Sequence, residues 1–196
     1  MEYRGGYGSV INEAGGVEVE VGAPGQLSIN TYESLFEAAI KARDRAVSEI
    51  SYVHIYECLT FGFASIEAYF NIVVGRWKRK NPESLLVDNV SNKISLETKI
   101  IEWIPILGNG RAFDRSANRQ WSDFKNLKRI RDQHAIHPST AGQGMSYKDM
   151  ANHLNSFRCG VAHLLGNLHL LLDNAVPAVI INAIYYPDIE VVKVHR

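Results

Sequence analysis

The sequence predicts an all-α protein, a helical bundle of four or five helices with short extended, strand-like segments at both ends. Three observations carry that expectation. Apolar residues recur every three or four positions from about Thr31 to Lys80 and again from Ser146 to about Asp173, the spacing of one helix face. Helix breakers gather in a few places, "KNPE", "LGNGRAFDRSANR" and "HPSTAGQG". Alternation of period two is confined to the ends, in "VEVEV" and "IEVVKV".

The chain divides into residues 1–27, glycine-rich and extended, a bundle over 28–176, and an extended segment over 177–196. In the first part Val17, Val19 and Val21 would share one strand face, and the two alternating ends can pair into a small sheet beside the helices. Ser28 or Asn30 can cap the first helix, with Glu33 three residues after Asn30 as a capping box requires. The pattern to Lys80 is too long for one ordinary helix, so two helices are expected, or one kinked near Ser48–Ser51. Tyr56, Leu59, Phe63, Ile66, Phe70, Val74 and Trp77 make one apolar stripe, and Glu67 interrupts it. A loop spans 81–93, and a short helix runs from Ser95 to about Ile104, stopped by Pro105. Another helix runs from Gln120 to about Ile136 ahead of Pro138, and Ser146 with Asp149 starts the last long one.

Composition narrows the function classes. With 196 residues, 46% apolar and 21% charged, the chain fits one domain with a real core. Lys+Arg and Asp+Glu number 21 each, so the whole molecule has no electrostatic pull toward nucleic acid or membrane, and any such partner needs a local patch. Cys58 and Cys159 stand far apart in apolar helical stretches and read as buried free thiols of a reducing cytoplasm. The first residues lack the layout of a signal peptide, and polar residues and Pro177 break up 164–186. A cytoplasmic protein with no membrane partner is expected.

The informative stretch is "NLKRIRDQHAIHP", 126–138. At roughly 100° per residue, Arg131 and His134 fall within the stripe of Phe124, Leu127 and Ile130, while Lys125, Arg129, Asp132 and Gln133 fall on the solvated side. His137 precedes proline and so leaves helical geometry. An inward arginine has to be paired, and Glu67 is the partner that the stripe offers. Such a polar cluster is either a structural ion pair or a site.

"RDQHAIHP" resembles the signature of HEPN domains (higher eukaryotes and prokaryotes nucleotide-binding): Arg, a polar residue, a variable stretch, then His, matched here by Arg131, Asp132 and His137. "FASIEAYFN", 63–71, is similar to an early helix of that family, and the order of helices over roughly 30–175 also fits. The resemblance implies a metal-independent endoribonuclease acting as a homodimer. Its two Arg–His motifs would share a cleft, with a regulatory protein or antitoxin as a further partner and a role such as a toxin or phage-defence effector. Histidine suits proton transfer from the ribose 2′-OH, and a fixed arginine braces the phosphorane oxygens. Asp132 must then find a counter-ion, because its charge beside Arg131 weakens phosphate binding. His134 is the rival to His137, through a poorer match starting at Arg129.

No cofactor is implied, and His153, His163 and His169 lack the spacing of metal ligands and read as core or surface residues. "RWKRK", comprising Arg76, Trp77, Lys78, Arg79 and Lys80, is either a helix end matched to its dipole or an RNA-backbone contact with Trp77 for stacking. The alternatives to a ribonuclease are a non-catalytic HEPN-like module that binds RNA, nucleotide or a protein, and an unrelated helical dimer with a structural Glu67–Arg131 pair.

Overall fold

The computed structural model describes residues 9–11, 17–19, 31–83, 94–116, 119–133 and 145–191. Among them are six helices around one core and a two-stranded ladder. The fold class is all-α, and the bundle has one helix more than expected.

Helix α1, Thr31–Glu49, and α2, Tyr52–Lys80, form a hairpin. The break falls where the sequence places it. Ile50 turns the chain with φ +51°, and Ser51 is extended at the start of α2. Tyr32 at the far end of α1 meets Tyr69 at 5.3 Å between ring centroids, so the two helices run antiparallel. The face of α2 that enters the core is wider than one stripe. It takes Ile55, Cys58, Ser65 and Tyr69 in addition to Leu59, Phe63, Ile66, Phe70 and Val74. Tyr56 and Trp77 are half-buried. By length and composition α2 would be able to cross a membrane, but half of its most apolar window is buried against the other helices.

Helix α3 is built of Leu96–Thr98, a π turn over Lys99–Trp103, and Ile104–Leu107. Ser95 caps it, accepting from the Thr98 N–H. Pro105 does not stop this helix. It stands in the first turn after the π segment, where a widened backbone relieves the clash and the missing donor costs little.

Helix α4 is Arg119–Arg131, and residues 132–133 continue it as a π turn. The expected extension to Ile136, and Pro138 beyond it, lie outside the described residues. Helix α5 joins Tyr147–Phe157, a π segment Arg158–His163, and Leu164–Leu171. It starts in the expected capping box, with Ser146 and Asp149 each bonding the other's backbone N–H. Ser28 and Asn30, the expected caps of α1, are outside the described residues.

The C-terminal part is not the extended strand that the sequence predicts. Ala178–Ile184 is a helix, α6, with Ile180 and Ala183 buried. Its Ile180 and Ile184 pack over Gly166 of α5. Four apolar residues in a row after Pro177 read equally well as strand or helix by periodicity, and packing on α5 decides for helix. Residues 185–191 then run along α1 and α5 without regular structure. The Asn155 side chain accepts from the Ile189 N–H (2.8 Å) and donates to its carbonyl (3.1 Å). Arg158 donates to the Tyr186 carbonyl and pairs with Asp188.

The ladder also differs from expectation. Val17–Val19 (β2) pairs antiparallel with Ser9–Ile11 (β1), in the register Ser9↔Val19, Val10↔Glu18, Ile11↔Val17. Of the expected partner "IEVVKV", the described residues Ile189–Val191 form no strand. A local partner costs less closure entropy than one at the other end of the chain. Val21 and residues 192–196 lie outside the described residues.

Candidate functional site at the end of α4

Arg131 closes α4 on the face that the phasing assigns to it. Trp121, Phe124, Leu127 and Ile130 of α4 are buried, and Phe124 stands 5.4 Å from the ring of Phe63 on α2. The same Phe63 ring receives Arg131, whose guanidinium carbon lies 4.6 Å from its centroid. An arginine stacked on an aromatic face keeps its donors at the rim while its plane is desolvated. The Arg131 side chain is 16% exposed.

The partner of Arg131 is Asp132, not Glu67. Arg131 Nε and Nη2 both donate to Asp132 Oδ1, at 2.8 and 2.5 Å. Neighbours in sequence do not face each other on a regular α-helix. The long Arg131 side chain nonetheless reaches Asp132, as Arg43 does Asp44 within α1. Uniform phasing assigns Asp132 to the solvated face; in the structure it is half-buried. Lys125, Arg129 and Gln133 are exposed as expected.

Asp132 has the second counter-ion that the sequence requires. Lys128, one turn earlier, donates to Asp132 Oδ2 at 2.9 Å and lies 3.4 Å from Glu97 Oε1 of α3. Burial pushes the Asp132 carboxyl up, but the hydrogen bonds from Lys128 and Arg131 outweigh it and hold the group below the usual carboxylate range. Burial pulls the Lys128 ammonium down, and Asp132 and Glu97 together more than reverse this. The second oxygen of Glu97 is buried with no hydrogen-bond partner among the described residues.

Glu67 belongs to a separate pair. Lys99 Nζ of α3 donates to Glu67 Oε2, and the same ammonium lies 5.7 Å from the centre of the Trp103 ring. Nothing in the sequence singles out Lys99, which is buried at the start of the π segment. Lys128 was detectable as an i, i+4 partner of Asp132; Glu97 carried no comparable signal. Among the described residues, two cations (Arg131, Lys128) thus face two anions (Asp132, Glu97) between α3 and α4 and balance in charge, while Lys99–Glu67 is a separate pair between α3 and α2.

His134 and His137 lie outside the described residues. The positions flanking that stretch are both tied to α2: Arg131 on Phe63, and Met145 through its carbonyl, which accepts from the Tyr52 hydroxyl. The basic run is elsewhere. Arg76 lies 13 residues beyond Phe63, about 20 Å along α2 at the usual rise. Arg76, Lys78, Arg79 and Lys80 are exposed, and among the described residues none of them is in an ion pair. Trp77 is half-buried, which restricts its ring for stacking.

The other candidate groups are structural in their surroundings. Cys58 is buried, and burial pushes its thiol up; Cys159 is only partly buried, a departure from expectation. His169 stacks on Tyr69 at 4.2 Å and is bonded through Nδ1 to the Ala175 carbonyl. Among the described residues no group of three or more His, Cys, Asp or Glu is arranged to hold a metal. An open, mainly aliphatic groove of about 300 Å³ runs between α1 and α5, lined by Val47, Ile50, Tyr147 and Leu154 among others, and none of the residues around Arg131 lines it.

Comparison of the chain with protein-family models, curated proteins and solved structures finds no match.

Proposed function

We propose that the protein is a metal-independent endoribonuclease of HEPN type, with Arg131 as the phosphate-binding group and His137 as the proton-transfer group. The observation that carries this is the seating of Arg131: an arginine on the inner face of α4, laid on an aromatic ring and held by an anion at its rim. A guanidinium whose plane is fixed in this way meets a phosphate in a set orientation once Asp132 yields its edge. The resemblance of Arg131, Asp132 and His137 to the family motif supports the same reading.

In the proposed reaction the ribose 2′-OH attacks the adjacent phosphorus while one histidine takes its proton. Arg131 braces the non-bridging oxygens of the phosphorane, and the 5′-oxygen leaves with a proton from a second histidine. The products are a 2′,3′-cyclic phosphate and a 5′-hydroxyl. Two histidines of suitable pKa are supplied when two copies of the chain place their His137 residues around one cleft. The run Arg76–Lys80 would hold the RNA backbone further along α2, and a regulatory protein would restrain the activity in a cytoplasmic setting.

The test uses purified full chain with mixed RNA in EDTA. Wild type is expected to produce 2′,3′-cyclic phosphate ends, and Arg131→Ala and His137→Ala to cut at least about 100-fold more slowly. Cleavage by the double variant at the wild-type rate would sink the proposal. The pairing of Arg131 with Asp132 favours a second reading, a non-catalytic HEPN-like module that binds RNA, nucleotide or a protein partner. Retained binding with no cleavage of any substrate would select it.

A further inference from the structure

The deepest feature of the site is that Arg131 is already occupied. Asp132 Oδ1 takes Nε and Nη2, one of the two guanidinium edges on which a phosphate can sit. A carboxylate in that place is a chemical mimic of the ligand. Its other oxygen, Oδ2, is held by Lys128 at 2.9 Å, and Lys128 in turn leans on Glu97 of α3.

We infer that Asp132 masks Arg131 in the free protein, and that Lys128 is the positioning residue that takes Asp132 over when a phosphate of single-stranded RNA displaces it. This rests on the reading of Arg131 as a phosphate-binding group. Masking and transfer require no bond making. The carboxylate gives up its contacts with Arg131, keeps those with Lys128, and the guanidinium plane stays on Phe63. The cluster is neutral with Asp132 on Arg131. Displacement leaves Arg131 with the incoming anion and Asp132 with Lys128, which it already shares with Glu97, so each anion keeps a cation partner while the cluster takes on one net negative charge. The apparent affinity for RNA is the intrinsic affinity reduced to the unmasked fraction. Lys128 sets that fraction without touching the ligand.

The geometry makes a double-variant prediction that neither a structural lysine nor a directly binding one would satisfy. The probe is a fluorescent 2′-O-methyl RNA oligonucleotide, which binds but has no 2′-OH to attack, and the readout is its Kd for the full chain. Asp132→Asn keeps the shape and removes the mask, and is expected to tighten binding roughly tenfold. Lys128→Met strengthens the hold of Asp132 on Arg131 and is expected to weaken binding by about tenfold or more, with Lys128→Arg restoring it. In the Asp132→Asn background the same Lys128→Met change is expected to cost less than about threefold, because there is no mask left to control. Circular dichroism checks that each variant is folded. An equal loss from Lys128→Met in both backgrounds makes Lys128 a direct RNA contact and overturns the inference. So does an Asp132→Asn variant that binds no tighter while Arg131→Ala still weakens binding. If Arg131→Ala binds as wild type does, the phosphate-binding reading itself has failed, and that pattern is distinct from the other two.

Discussion

His54 shows how far one side chain's surroundings set its behaviour. It stands at the α1–α2 corner with Nδ1 2.7 Å from Glu57 and Nε2 2.9 Å from Glu49, and Arg45 shares Glu57 at 3.1 Å. The bonds to Glu57 and Glu49 raise its pKa above the ordinary value, against burial and the charge of Arg45. A raised pKa in the fold means that the clamp stabilises fully below the unfolded value of about 6.5 and fades as pH rises through the folded one. His169 works in the opposite sense: burial lowers its pKa, so its contribution is full above the unfolded value of about 6.5 and is lost as pH falls through the folded one. The expected outcome for His54→Gln is therefore specific. In urea melts across neutrality, the stability gap between wild type and variant should be widest on the acid side and shrink as the pH rises. A gap that is constant, or that grows with pH, would show that the two carboxylates do not hold a protonated imidazole.

At the scale of elements, the structure departs from the sequence-based expectation in the π turns, the C-terminal helix α6 and the local partner of β2. Uniform phasing at about 100° per residue locates the α2 stripe and places Arg131 inward, because both lie in regular α-helix. It puts Asp132 on the solvated side, where the structure half-buries it, and the stop expected at Pro105 is absent after the π segment Lys99–Trp103. Nothing in composition announces those turns; they are fitted to neighbours in space. The π segment of α5 shows what such a fit achieves. It brings Gly160 against the backbone of α4, where an added Cβ would meet the Phe124 nitrogen at 2.6 Å and the Asp123 carbonyl carbon at 2.7 Å. Backbone cannot yield as a side-chain tip does, so Gly160→Ala is expected to cost at least about 3 kcal/mol of stability, near the upper end for overpacking. Gly75→Ala is the control. Its Cβ meets nothing within 4 Å, and the change is expected to stabilise by a few tenths to about 1 kcal/mol through helix propensity. Comparable denaturation midpoints for the two variants would contradict the close crossing of α4 and α5.

Over the whole molecule, the core and the candidate site share a residue. The all-α bundle was legible because its long helices bury ordinary apolar faces. The site was legible only in outline, since Arg131 stood out against its stripe but its partners came from another helix and from a local turn. Phe63 joins the two levels. It is fully buried, it packs on Phe124, and its ring carries the Arg131 guanidinium. Phe63→Leu keeps an apolar side chain of similar bulk while removing the aromatic face. Stability is expected to fall by roughly 1–2 kcal/mol, short of the 3–5 kcal/mol of a truncation to Ala. RNA affinity is expected to fall by about threefold to tenfold, as for a cation–π contact of ~0.5–1.5 kcal/mol. The comparison that separates these effects is Leu59→Val, a substitution on the same helix that loosens the core without touching Arg131. If Leu59→Val, at equal loss of stability, weakens the binding of 2′-O-methyl RNA as much as Phe63→Leu does, the site responds to general loosening of the bundle. If only Phe63→Leu weakens it, the ring itself seats the arginine, and the hydrophobic core of this fold is part of its binding machinery.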